Sequence, residues 1–296
     1  MSDNIQNNQQ HNAYSRNIEN NNRLMIYHPQ RVPVHERNLQ IACGGKTVYE
    51  FLKDEITQSF NSIPSDDVVR EWIITKPFFI LDFNVLSAHK HREHFVYPPC
   101  EIALSKFDIL NGITDELHEF LYFEGLPEFY FFEVIKAYND HNIPLRNKRK
   151  FAELGPIRQD EIEIRIRDFF TRNGFSERVP VFQVTNRIMQ SYNAYEWLRC
   201  SRFSEKDALP KIDIFPISGL IFEIAQIRKF NVFRIKKDIE EELNYRKLKL
   251  EISTQNRNCF FHNRIKINVC PIGENNRLIE ASVQLIRDNL SNNNNE

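Results

Sequence analysis

Close to the C-terminal end, Cys259-Phe-Phe-His262 is followed by Cys270. Cys259 and His262 stand three residues apart, so in a turn or at the start of a helix both side chains can meet one ion. Cys270 can return to it from the next segment. Thiolate and imidazole donors together favour zinc over magnesium. Three donors do not close a tetrahedral site, and a fourth has to come from elsewhere in the chain. The same residues also read as two buried thiols and a hydrogen-bonded surface histidine, because short Cys/His spacings recur by chance.

Any such site needs a scaffold, and the chain is long enough to make one. Its 296 residues, 41% of them hydrophobic, suffice for one large domain or two small ones. Thirty-nine basic against forty acidic residues leave a net charge near zero, so nucleic-acid binding cannot rest on bulk charge and would need local patches. No apolar run approaches the roughly 18 residues that cross a bilayer, and the N-terminus is polar where a secretory signal is apolar. An intracellular protein without membrane attachment is the expectation. The five cysteines are scattered and odd in number, which disfavours a disulfide framework and leaves ligation or burial. Cys200, closing a helix that holds Trp197, reads as a packing residue.

Residues 1–24 are rich in Asn and Gln and 291–296 are again polar, so both ends are expected to be disordered tails. Residues 25–68 read as an N-terminal extension with a helix over 47–60, and 69–290 as the compact domain. Within it, residues 77–86 form a strand apolar on both faces, ended by a polar, His-rich loop over 88–93. Strands over 101–107 and 113–122 follow, joined by the turn 108–112. A helix over 160–172 with Gly174 past its end precedes a strand (181–184), a helix (187–198), a strand (212–215) and a helix (217–230). A three-stranded antiparallel meander followed by strand–helix units is the layout of a ribonuclease H-like fold: an α/β mixed sheet of about five strands flanked by helices.

On that layout, Phe-Ile-Leu-Asp82-Phe-Asn84 followed by Cys100-Glu-Ile-Ala resembles the opening of the DEDD exonuclease superfamily. Closer still is the likeness to its divergent Maelstrom branch. The matching motifs are Pro99-Cys-Glu101, Leu117-His118-Glu-Phe, His141-Asn-Ile-Pro144, and Cys259-Phe-Phe-His262 with Cys270. They run in the family's order across roughly residues 70–275, although the interval from His262 to Cys270 is slightly short. The resemblance nominates Glu101 as the fourth ligand, giving a closed, structural Glu-Cys-His-Cys zinc site. Cys100 is its neighbour on the opposite strand face. His118 and His141 match further family positions; on their own chemistry they read first as hydrogen-bond partners and second as ligands.

The resemblance implies a germline small-RNA (piRNA) pathway factor that represses transposable elements during gametogenesis and meiosis. It would act in the cytoplasm, in perinuclear germ granules and in the nucleus, with single-stranded RNA and silencing proteins as partners. The HMG box of typical animal members is not recognisable in the first 67 residues, so direct DNA binding is not implied. Two-metal exonuclease chemistry needs four carboxylates. Only Asp82 is recognisable, with neutral Asn84 in the second position and no Asp in the stretch from Arg187. A divergent exonuclease, a single-stranded RNA endonuclease and a scaffold without RNA affinity stay open beside the leading reading. RNA would follow basic clusters, with candidate contacts at Arg146, Lys148, Arg149, Lys150, Arg228, Lys229, Lys236 and Lys237. The same charges also read as solvation of helices, as the spacing of Glu242 and Arg246 suggests.

Overall fold

A computed structural model of the chain describes residues 39–87, 89–91, 94–122, 131–144, 148–175, 177–200, 209–228, 236–253, 258–265 and 269–292. In chain order the elements are helices α1 (Leu39–Ala42), α2 (Val48–Ser59) and α3 (Asp66–Thr75), then strand β1 (Phe78–Val85). The small strands β2 (His89–His91) and β3 (His94–Val96) come next, followed by β4 (Pro99–Asp108), β5 (Gly112–Tyr122), α4 (Phe131–His141), α5 (Lys148–Ala152), β6 (Ile157–Arg158) and α6 (Gln159–Arg172). The second half runs β7 (Arg178–Gln183), α7 (Ile188–Cys200), β8 (Lys211–Pro216), α8 (Ile217–Ile227), α9 (Lys236–Ser253), α10 (Phe260–Ile265) and α11 (Pro271–Asn292).

The main sheet has six strands in the order β6-β5-β4-β1-β7-β8. β1, β4 and β5 pair antiparallel, while β7 and β8 add in parallel on the other side of β1. This is the expected ribonuclease H-like arrangement, with the two-residue β6 paired in parallel on the outer side of β5. β1 is central and buried along almost its whole length, which is why its sequence is apolar on both faces. The expected polar loop over 88–93 is corrected in part. His89 pairs with Val96 and His91 with His94, so residues 89–91 within that stretch form β2, paired antiparallel with β3 just beyond it. The expected tail at 1–24 and the end of that at 291–296 lie outside the described residues.

Local signals explain the boundaries. Thr47 and Glu50 form a reciprocal capping box that starts α2. α6 ends on Gly174 at φ +88°, with Phe175 N–H donating to the Phe170 carbonyl at 2.9 Å and Gly174 N–H to Thr171 at 3.0 Å. Those are the two hydrogen bonds of a left-handed helix stop, and they favour a residue without a Cβ at that position.

Strand alternation divides the core into two layers. On one face Phe79, Leu81, Phe83, Ile102 and Leu104 pack under α6 and α7. On the other, Phe78, Ile80, Phe107, Phe182 and Phe215 pack under α2, α8, α9 and α11. Phe51 of α2 stacks on Phe215 with centroids 5.2 Å apart and meets Phe182 edge-on at 6.1 Å. The second face changes character along β1: beyond Ile80 it carries Asp82 and Asn84, opposite Ala103 and Glu101 of β4.

Because Phe51 is built into the sheet's own aromatic layer, Phe51→Ala should destabilise the whole domain by about 3–5 kcal/mol and preserve a single transition. Thermal unfolding followed by circular dichroism checks this; an early separate transition confined to the N-terminal helices would contradict it.

Candidate metal centre

Glu101 stands near the start of β4 with no exposed surface, and strand geometry fixes its surroundings. It lies directly across from Asn84 in β1 and from Phe120 in β5, while His118 is the cross-strand partner of Ala103. Residues two apart share a face, so Asn84, Glu101 and His118 project together. Asn84 Nδ2 donates to Glu101 Oε2 at 2.7 Å, and His118 Nε2 lies 2.7 Å from Oε1. An ionised carboxylate only accepts, so the His118 proton sits on Nε2. Cys100, one residue away, points to the opposite face, where its Sγ lies 3.4 Å from the Asn84 carbonyl oxygen and 3.6 Å from His141 Nε2.

The C-terminal segment supplies the other donors. The Cys259 carbonyl accepts from Asn263 N–H at 3.0 Å at the start of α10, so His262 falls within its first turn, fully buried. The Cys270 carbonyl likewise accepts from Glu274 N–H at 2.8 Å, with Pro271 at the first helical position of α11, where a missing N–H costs nothing. The two helix starts bring their cysteines together, and Cys259 N–H donates to Cys270 Sγ at 3.2 Å. Cys259 Sγ lies 3.1 Å from His262 Nδ1, which is 3.6 Å from Glu101 Oε1. One donor atom from each of Glu101, Cys259, His262 and Cys270 lies within 4.8 Å of the other three, a grouping able to hold a metal ion.

His118 and His141 sit beside this group and act through other atoms. His262 Nε2 lies 3.2 Å from the carbonyl oxygen of His141. Donating there fixes the proton on Nε2 and leaves the Nδ1 lone pair facing the cluster. That carbonyl belongs to the last turn of α4, whose carbonyls have no helical partner. Asn142 ends the helix in the left-handed region at φ +52°, and the His141 ring accepts from Ile143 N–H through Nδ1 at 3.1 Å. His141-Asn-Ile-Pro144 is therefore a helix stop that aims a carbonyl at His262.

The protonation balance follows from burial and neighbours. Burial drives the His141 ring down to about 4, so it is neutral. Burial works against charge on His262 and His118 too, but Cys270 and Glu101 hold His262 above the ordinary histidine value, and Glu101 does the same for His118. The hydrogen bond to Cys270 lowers Cys259, while Cys270 itself is pushed up by Cys259 and by burial.

Two residues along β1 from Asn84, Asp82 is 1% exposed. Its Oδ1 accepts from Phe83 N–H at 2.9 Å and lies 3.1 Å from Arg187 Nη2, and Oδ2 has no hydrogen-bond partner among the described residues. Burial raises this carboxyl from 3.8 to about 6 despite the opposing charge of Arg187. The arginine comes from the stretch in which no third carboxylate was found. Sequence reasoning missed this pairing, as it missed the role of Asn84, since neither lies in a local motif.

The expected RNA contacts divide. Arg146 and Lys229 lie outside the described residues, as do the side chains of Lys148, Lys236, Lys237 and Cys200. Arg149 and Lys150 are exposed on α5. Arg228 is tied into the fold, donating to the Arg70 carbonyl at 3.0 Å with Glu71 3.6 Å away. Arg246 pairs with Glu242 and Asp288, and Lys247 with Glu274.

Residues 90–289 match the family model of Maelstrom, described as a piRNA pathway germ-plasm component. No curated protein matches the sequence. Among solved structures, a full-length 3′-exonuclease is similar at 11% identity and a TM-score of 0.40, with 72% of this chain and 82% of that chain covered. At that level the likeness adds nothing to what the strand order shows.

A carboxyl raised by folding stabilises the native state below its unfolded value, 3.8, and that contribution is lost as pH rises through about 6. Asp82→Asn should therefore gain stability over the unaltered protein on going from pH 4 to pH 7, by up to about 3 kcal/mol. Paired denaturant titrations at the two pH values test it; an unchanged difference means that Asp82 is ionised as readily in the native state as in the unfolded chain.

Proposed function

The chain belongs to the Maelstrom family, and on that footing we propose that it is a germline piRNA pathway factor that represses transposable elements. In this reading its ribonuclease H-like domain is held by a structural zinc ion and binds single-stranded RNA and silencing proteins. It works in the cytoplasm, in perinuclear germ granules and in the nucleus.

The observation that carries the reading is the convergence of Glu101, Cys259, His262 and Cys270 from opposite ends of the domain. Two sulfurs, an imidazole nitrogen and one carboxylate suit zinc, whereas magnesium and calcium take oxygen shells. Tetrahedral zinc bond lengths set donor–donor separations of roughly 3.3–3.8 Å. The 3.1 Å from Cys259 to His262 and the 3.6 Å from His262 to Glu101 lie close to that range. Four protein donors leave no position for a reactive water, so the ion supplies a cross-link between β4 and the C-terminal segment. Asp82, paired with Arg187, and Asn84, spent on Glu101, are not disposed to hold two hard cations.

The purified full chain should contain one equivalent of zinc by elemental analysis. Strong chelation, Cys259→Ser or His262→Ala should lower the melting temperature of the entire domain, whereas Cys200→Ser should change it little. A zinc-free protein melting cooperatively at the same temperature in chelator would sink the metal reading. Incubation with labelled single-stranded RNA, in Mg²⁺, Mn²⁺ or EDTA, should show binding, and Asp82→Ala should leave any cleavage rate unchanged. Loss of a metal-dependent exonuclease activity in that variant would restore the exonuclease alternative.

A further inference from the structure

Within the segment that bears Cys259 and His262, adjacent phenylalanines have opposite fates. Phe261 is 7% exposed and meets Phe120 edge-on at 5.8 Å, while Phe260 is 82% exposed, the most exposed aromatic side chain among the described residues. An exposed Phe ring gains nothing for folding, and this one is not on a loose tip. Its backbone is fixed by the Asn263 N–H bond to Cys259 at 3.0 Å, by Asn263 Nδ2 donating to the Asn258 carbonyl at 2.7 Å, and by the buried Phe261 and His262 beside it. One helical turn on, Arg264 is exposed too, without an ion-pair partner among the described residues. Residues four apart on a helix lie side by side, with about 5–6 Å between Cβ atoms. The chain from Glu251 to Glu274 has no acidic residue between those two, yet it carries Arg257, Arg264 and Lys266 in a protein of net charge −1. The local surplus of positive charge fits a polyanion.

We propose that Phe260 and Arg264 form a nucleotide-binding step for single-stranded RNA, with the ring stacking on one base and the guanidinium holding a flanking phosphate. This rests on the reading of the chain as an RNA-binding protein and gives it a location. A planar ring serves any base, so the step is tolerant of sequence. Because the segment is held against β4 beside Glu101, the ring is presented on a backbone already ordered, which lowers the ordering cost at the moment of binding. The clamp and the RNA surface then lie in one short stretch of chain.

The test measures the affinity of the full chain for fluorescein-labelled single-stranded oligouridine over a series of salt concentrations. Phe260→Ala should weaken binding at least about fivefold with the salt slope unchanged, and Phe260→Trp should restore it. Phe260→Leu keeps the apolar bulk and should stay weak. Arg264→Ala should weaken binding and flatten the logarithmic salt dependence by roughly 0.7, the loss of one phosphate contact to a single strand. Zinc content and melting temperature should be unchanged in all four variants. Wild-type affinity in Phe260→Ala or Phe260→Leu overturns the step while leaving RNA binding itself in place, and points the exposed ring to a protein contact. Absence of RNA binding by the unaltered chain overturns both.

Discussion

Glu101 is wholly buried near the start of β4, and a carboxylate held out of water there costs several kcal/mol unless its oxygens are occupied. The surrounding structure reads as the answer to that requirement. Asn84 fills one oxygen from β1 and His118 engages the other from β5, so three neighbouring strands are pinned in register by one side chain. The Asn84 amide also donates to the Val269 carbonyl at 3.0 Å, extending the same contact to the segment that bears Cys270. Both side chains that meet the carboxylate, Asn84 and His118, are donors at geometrically fixed positions. A removed donor would leave a buried charge uncompensated, a larger loss than the hydrogen bond alone.

The same sheet face holds a second buried carboxylate, met differently. Asp82 has Arg187 and the Phe83 N–H on one oxygen and, among the described residues, no hydrogen-bond partner on the other, and burial lifts its pKa. A two-metal site gathers carboxylates around hard cations. Here a guanidinium stands beside Asp82, and position 84 holds a neutral amide. The amide is a donor, and a donor is what Glu101 needs. A carboxylate at position 84 would place like charge 2.7 Å from Glu101 and work against its grouping with Cys259, His262 and Cys270.

Much of this was legible in the chain because it is encoded locally. The central strand shows in the unbroken run from Phe78, the capping box in Thr47 and Glu50, and the helix stop in Gly174; the strand order follows from alternation of elements. The grouping of Glu101 with Cys259, His262 and Cys270 was reachable through motif order, not spacing, since Glu101 lies far in sequence from Cys259 and nothing local couples them. What stayed hidden depends on tertiary pairing. The sequence shows Asn84 as a defective second carboxylate, and only its register opposite Glu101 reveals a hydrogen-bond donor. The stretch from Arg187 shows a missing acid, and only packing reveals the cation that faces Asp82. α11 is a different case. Its buried Leu278, Ile279, Val283 and Ile286 do follow a helical period, and their burial against the sheet is what tertiary packing adds to that pattern. Arg228 was read from charge alone, and its guanidinium is tied to the backbone of α3.

His262 shows how these pieces become one unit. Its inner nitrogen faces Glu101 and Cys259, and its outer nitrogen the last-turn carbonyl of α4. The ring cannot rotate to serve one without losing the other, so the C-terminal end of α4, the start of β4 and the segment from Cys259 to Cys270 are ordered together. The side chains at positions 101 and 270 meet across a loop that holds most of the domain, and the entropy of such a closure grows only slowly with length. A single set of contacts therefore secures both ends of the sheet's longest path, and the exposed surface of the C-terminal segment inherits the rigidity of its buried side.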